Sequence, residues 1–316
     1  MDVLELWKAR REGRFTLKHW IWAWIISARP IALPWVILYT LFGALLAGVE
    51  DSISCFGAAL TVAFILTAGH FNNNYMDVLL GIDRYVNSPG EAEKICSRLK
   101  PYTAAAWLVP LRITSMRFQM FNEVAFLFLA LATYMFTVNP LKHPLTLPFF
   151  VLGVFLALSY TVWWKRWRLG EVAAFLGHGF ATVTFGYLSQ SPNIMVAVLA
   201  GVPTGLLSGL AYSVDQFVDI RTDFVRRVRA IYESWFNSKM PLGLYVIVVF
   251  VFWLNVVLAW VVAGIYPKGV LLVLASIPLI LFKAPALQYD RDRALRDIAL
   301  IAVWLIPALM CLGATI

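Results

Sequence analysis

Two short acidic runs carry the chemistry open to this sequence. "FNNNYMDVLLGID" holds Asn73, Asp77 and Asp83, and "DQFVDIRTD" holds Asp215, Asp219 and Asp223. Residues four apart on a helix share a face, so Asp215, Asp219 and Asp223 form one carboxylate stripe and Asn73 with Asp77 begins another. Gly81 is expected to end the first helix and let Asp83 fold back toward it. Like charges at this spacing repel, so a cation belongs among them. Oxygen donors with open positions suit Mg²⁺, which takes one or two carboxylates, retained waters and phosphate oxygens. With a diphosphate added, such a site still calls for basic groups, and Arg84, Arg98, Lys100, Arg112, Arg117, Arg221, Arg226, Arg227 and Arg229 flank the two runs. A solvated acidic helix end is the plainer account of either run alone. It is a poor account of two similar runs at equivalent helix ends.

The elements that must position these acids are membrane helices. Of 316 residues, 61% are hydrophobic and only 14% charged, outside the range of soluble domains. Apolar stretches of about 20 residues, the length that crosses a bilayer core, fall at 31–49, 55–76, 119–138, 144–163, 171–190, 193–214, 241–264, 268–283 and 297–315. The expected fold is therefore all-α, with nine transmembrane helices around a central apolar cavity and a single domain over 1–316. Of the 26 Lys and Arg, all but Lys142 and Lys268 precede the first span or lie in the even-to-odd connections. The positive-inside rule then places the N-terminus and both acidic runs in the cytoplasm and the C-terminus outside. The net charge of +8 is accounted for by topology and by anionic ligands or lipid head groups, without nucleic acid.

Residues 1–18 read as an interfacial amphipathic segment, with Leu4, Leu6 and Trp7 toward lipid. No cleavable signal or organelle-targeting pattern is present, so a plasma membrane is expected. Cys55, Cys96 and Cys311 show no pairing or metal spacing.

An anion site at a membrane surface, opening into an apolar bundle, suits a lipid diphosphate whose tail lies between helices. With a prenyl diphosphate, metal and basic groups would stabilise the departing pyrophosphate. The allylic cation would sit among aromatic rings until an electron-rich acceptor is alkylated.

At this level of detail the chain resembles the UbiA superfamily of intramembrane prenyltransferases over nearly its whole length. Within it, "SARPIALPWVILYTLFGALLAG", "NNNYMDVLLGID" and "YTVWWKRWRLGEVAAFLGHGFATVTFGYL" are similar to the 1,4-dihydroxy-2-naphthoate polyprenyltransferases of menaquinone synthesis. The resemblance implies that Asn73, Asp77 and Asp83 bind one Mg²⁺–diphosphate and Asp215, Asp219 and Asp223 the other. It makes Asp77, Asp219 and Tyr160 the catalytic set, with Tyr160 near the reacting allyl group. Asn73, Arg29, Arg84, Lys100, Lys165 and Arg168 are the implied substrate-binding set.

The sequence departs from the family pattern at Asn74, often Asp there, in the loop "NSPGEAEKICSRLKPYTAAAW", and at Arg226 and Arg227. Geranylgeranylglyceryl phosphate, 4-hydroxybenzoate and haem therefore stand as alternative acceptors. His70 and His178 are read as packing histidines with a cavity role as the alternative, and Glu171 as the cap of the fifth span. A cation-coupled transporter is the rival from another class. It predicts acids near the midplane and broken helices, whereas these acids gather at helix ends.

Overall fold

The computed structural model describes residues 1–86, 88–96, 104–167, 169–219, 242–284, 297–298 and 300–316, with backbone alone for 214–219 and 242. The chain begins with α1 (Val3–Arg11), started by a reciprocal cap in which Asp2 accepts from the Glu5 amide and Glu5 from the Asp2 amide. α2 (Leu17–Ala28) and α3 (Leu33–Ala47) follow, joined at Arg29, which sits in the left-handed region at φ 49°. Pro30 explains the break, because a proline disfavours helical backbone in the residue before it. The first apolar span consequently runs over Leu17–Ala47 with a bend, and not over 31–49.

α4 (Ser52–Leu79) is capped by Asp51, whose carboxylate accepts from the Ile53 and Ser54 amides. α5 (Pro89–Cys96) and α6 (Met116–Thr133) come next, the latter running on through a π-type turn at Tyr134–Val138. α7 (Leu147–Ser159) ends in a second such turn, Tyr160–Lys165. α8 (Gly170–Ala174) and α9 (Thr182–Leu188) flank a third at Phe175–Ala181. α10 (Ile194–Asp219), α11 (Leu242–Val262), α12 (Ile277–Lys283) and α13 (Ile306–Ala314) complete the bundle, with a 3₁₀ stretch at Lys268–Ser276 before α12 and a fourth π-type turn at Ile301–Leu305.

Among the described residues, six helices are long and apolar enough to cross a membrane. The expected spans at 171–190, 268–283 and 297–315 are not among them; the first is helical over 170–188 but less apolar, and the last is represented by a shorter apolar helix, Ile301–Ala314. Glu171 and His178 make the first of these less apolar, and it is enclosed by protein along α9. Such an interior helix need not be uniformly apolar, because its neighbours and not lipid are its solvent. Large apolar side chains of α6, such as Phe121 and Phe128, face outward instead.

The connections sort to two ends. At one, Lys142 pairs with Asp51 at 2.8 Å, and the Gln190 side-chain oxygen accepts from the Glu50 and Asp51 amides at 3.1 and 3.0 Å. The Lys142 ammonium, with the amides of Ser54 and Ile53, holds the Asp51 carboxyl below its ordinary range. The C-terminal ends of α4 and α10 lie at the other.

There α1 folds over the connection after α4. Val3 and Leu6 are buried against Ala92, Cys96, Leu108, Leu111 and Ile113, with Leu4 and Trp7 packed on the same cluster. Leu6, expected to face lipid, is thus covered by protein. An amphipathic segment cannot distinguish a lipid surface from an apolar patch that a distant loop supplies.

Candidate active site

The first acidic run ends α4. The helix stops at Leu79, and Gly81 follows at φ 70°. The Gly81 amide bonds the Val78 carbonyl and the Asp83 amide bonds the Asp77 carbonyl at 2.9 Å. The chain therefore folds back as the glycine suggested, and both carboxylates are buried, Asp77 at 1% and Asp83 at 6% exposure. No atom lies within 4 Å of a Cβ built on Gly81, so only backbone strain opposes a side chain there. Gly81→Ala should lower stability by about 1–2 kcal/mol and weaken whatever Asp83 holds. Thermal unfolding and Mg²⁺-dependent binding of a diphosphate measure the two effects, and a variant unchanged in both would separate the turn from the site.

The Tyr160–Lys165 turn meets both motif helices. Lys165 donates to both carboxylate oxygens of Asp77, at 3.0 and 2.9 Å, and is itself only 6% exposed. Thr161 donates to the side-chain oxygen of Asn73. Tyr160, at the start of the turn, hydrogen-bonds Tyr212 of α10, a residue three before Asp215 and seven before Asp219. π-type turns recur at functional sites because the extra residue re-aims the side chains around it. Here one turn carries a phenol to α10 and an ammonium and a hydroxyl to α4. The tips of the two motif helices accordingly lie at the same end of the bundle.

Arg29 reaches α4 as well, donating to the Asn74 side-chain oxygen at 3.1 Å. Asn74 in turn donates to the Ser27 carbonyl and the Gln119 side chain. Asn74 thus clamps the α2–α3 corner to α4 and α6. Arg84, expected at the diphosphate, is exposed and pairs with Glu91 at 2.8 Å. His70 bonds the Ala28 carbonyl at 3.0 Å, while Glu171 lies within 3.5 Å of the Ser213 hydroxyl. Lys100, Arg168 and Asp223 lie outside the described residues. Asp215 and Asp219 are described by backbone alone, on the last turns of α10.

One buried group escaped sequence reasoning. Glu123 of α6, 8% exposed, accepts from Tyr75 at 2.7 Å and from Asn72 at 3.1 Å, tying α6 to the motif helix. A carboxylate inside an otherwise apolar span was the signal that could have found it. Thr161 and Tyr212 gave no comparable signal.

The donors of the first run suit a hard divalent cation, because Asn73, Asp77 and Asp83 offer oxygen alone and two of them are carboxylates shielded from solvent. Among the described residues no three acids or imidazoles converge on one point. Retained waters and phosphate oxygens would therefore have to complete the coordination of an ion held by this run.

No family model matches the chain, and no curated protein matches it. A solved structure of a digeranylgeranylglyceryl phosphate synthase in membranes does match, over 93% of this chain and 98% of that one, with a TM-score of 0.59 and 15% sequence identity. At that identity the likeness is one of fold.

Proposed function

We propose that the protein is a UbiA-type intramembrane prenyltransferase that moves a polyprenyl group from its diphosphate to an acceptor. The Tyr160–Lys165 turn supports this reading above all, since it reaches α4 through Lys165 and Thr161 and α10 through Tyr160. The like fold of a membrane prenyltransferase adds to it.

Asn73, Asp77 and Asp83 would hold one Mg²⁺, and Asp215, Asp219 and Asp223 a second. When bound, these ions supply the positive charge that lowers the barrier to pyrophosphate departure. Lys165, held by Asp77, would turn to the diphosphate oxygens, with Arg29 beside the same helix. The bond between the prenyl C1 and the diphosphate oxygen breaks, and its electron pair leaves with pyrophosphate. Tyr160 would face the resulting allylic cation, the acceptor attacks C1, and the acceptor then loses a proton, or its carboxylate group as carbon dioxide.

The acceptor best matched by the sequence is 1,4-dihydroxy-2-naphthoate, which would place the protein in menaquinone synthesis at a cell membrane, N-terminus inside. Geranylgeranylglyceryl phosphate is the second reading, favoured by the solved structure with the same fold.

Purified protein given labelled geranylgeranyl diphosphate, Mg²⁺ and each of these acceptors should release pyrophosphate only when its acceptor is present. Chelation of the metal should abolish the release, and added Mg²⁺ restore it. Absence of acceptor-dependent release with every acceptor would overturn the prenyltransferase reading.

A further inference from the structure

His70 spends one ring nitrogen on the fold and keeps the other in hand. α2 ends against Pro30, which has no amide hydrogen for the carbonyls that a helix leaves unmatched at its C-terminus. His70 Nδ1 meets one of these, the Ala28 carbonyl, at 3.0 Å. A carbonyl only accepts, so Nδ1 carries the proton of the neutral ring and Nε2 is its bare acceptor. Nε2 has no hydrogen-bond partner among the described residues. It is not sealed off as Nδ1 of His178 is, so it retains accessible surface on a half-buried ring.

That surface faces the interior of the bundle. At 3.6 residues per turn, position 70 falls on α4 between Asp77 and Asn74. The first meets Lys165 of the Tyr160–Lys165 turn, and the second meets Arg29 and Ser27 at the α2–α3 corner. Arg29 and His178 are the charged and titratable neighbours of the imidazole, and the His178 ring packs on Trp35 of α3 at 4.9 Å. The α2–α3 corner, the Tyr160–Lys165 turn and the Phe175–Ala181 turn therefore stand around it.

The same face of α4 carries Asn73 and Asp77, three and seven residues on. Asn73 and Tyr160 are half-buried like His70, so an accessible polar strip runs inward from the acidic run. His70 lies ~10 Å along the axis from Asp77 at 1.5 Å per residue. A diphosphate held at Asp77 would put its prenyl C1 inward of the metal, on the side where His70 stands.

We infer that His70 is the general base of the transfer, its Nε2 taking the proton of an acceptor hydroxyl. As the bond to C1 forms, the O–H bond breaks. Its electron pair stays on the oxygen, or enters the ring of an aromatic acceptor through it. The proton ends on Nε2, giving an imidazolium that Nδ1 still anchors to Ala28, and water takes the proton away when the products leave. The inference rests on the prenyl-transfer reading for its reaction.

Asparagine at position 70 keeps an amide N–H where Nδ1 stands and has nothing in place of Nε2. His70→Asn should therefore unfold close to the wild type and bind prenyl diphosphate with Mg²⁺ as before, while kcat falls about 10²–10⁴-fold, the worth of a positioned base. Pyrophosphate release is measured anaerobically with 1,4-dihydroxy-2-naphthoate and with geranylgeranylglyceryl phosphate, and the arm that turns over identifies the source of the hydroxyl. In His70→Ala, added imidazoles should restore release in the order of their basicity, which repacking alone would not produce. Carbethoxylation by diethyl pyrocarbonate, which attacks an unprotonated imidazole nitrogen, reads the same atom without turnover. In lipid nanodiscs, peptide masses should show His70 modified in the ligand-free protein and shielded by one of the two acceptors.

Turnover in His70→Asn near that of the wild type, rescue indifferent to basicity, or a His70 that neither acceptor shields would end the inference and leave Nε2 to water. Shielding of His70 in a wild type that releases no pyrophosphate would keep the histidine at the ligand hydroxyl and sink the prenyltransferase reading instead.

Discussion

Asp77→Asn should cost the protein both its turnover and about 3–5 kcal/mol of stability, the penalty for removing one partner of a buried ion pair. Asp77 is 1% and Lys165 6% exposed, and two hydrogen bonds of 2.9–3.0 Å join them. Neutralising the carboxylate leaves the ammonium where water cannot compensate it. A lost activity in this variant alone would therefore be ambiguous between chemistry and folding.

Lys165→Met in the same chain resolves the ambiguity. With both charges gone, the site is one polar amide beside an apolar side chain, and most of the lost stability should return. Turnover should not return, because the carboxylate proposed to hold the metal is still missing, and a loss of about 10²–10³-fold is expected to remain. Asp219→Asn should show a loss of turnover of similar size. Thermal unfolding of the two single variants and the double variant, beside pyrophosphate release, gives the full cycle. Full turnover in Asp77→Asn would remove Asp77 from the chemistry. A double variant no more stable than Asp77→Asn would show that the ion pair is not what the substitution breaks.

The second large effect lies where α3 and α9 cross with their backbones in contact. A Cβ at Gly186 would overlap the Thr40 carbonyl oxygen, and one at Gly43 would overlap that of Val183. Neither obstacle is the end of a flexible side chain, so relief requires the helices to separate. Close approach through small residues is a main source of cohesion between membrane helices, since lipid offers no hydrophobic drive for them to associate. Gly186→Ala should therefore lower stability by about 3 kcal/mol, at or above the usual range for overpacking. Gly43→Ala acts at the same crossing, so the double variant should cost well under the sum of the two. Thermal unfolding and the yield of folded protein measure both. Additive losses would mean that each glycine sits in a separate, locally adjustable contact.

The approximate limits of α4, α6, α7, α10 and α11 were legible from the sequence, because burial in lipid demands long runs of apolar residues whatever the tertiary arrangement. So was the turn after the first acidic run. Gly81 takes the left-handed conformation that a side chain resists, and Asp83 follows it back to Asp77. Both are local consequences of residue type. The bend at Arg29 was local too, written in Pro30, but an apolar count starting after the charge overlooks the helix in front of it.

The partners across the bundle were decided only by packing. Lys165 reads equally well as a loop cation or a phosphate ligand until a π-type turn aims it at Asp77, 88 residues away. Tyr160 gains its neighbour Tyr212, and Glu123 its pair Asn72 and Tyr75, from helices that no sequence spacing relates. Leu6 turned to protein because the connection after α4 folds into an apolar shelf. Hydropathy and capping act over a few residues, so they determined which segments are helical and where the acids stand on them. Charge pairing and the completion of buried hydrogen bonds act through space, and only the folded bundle could decide which polar groups meet.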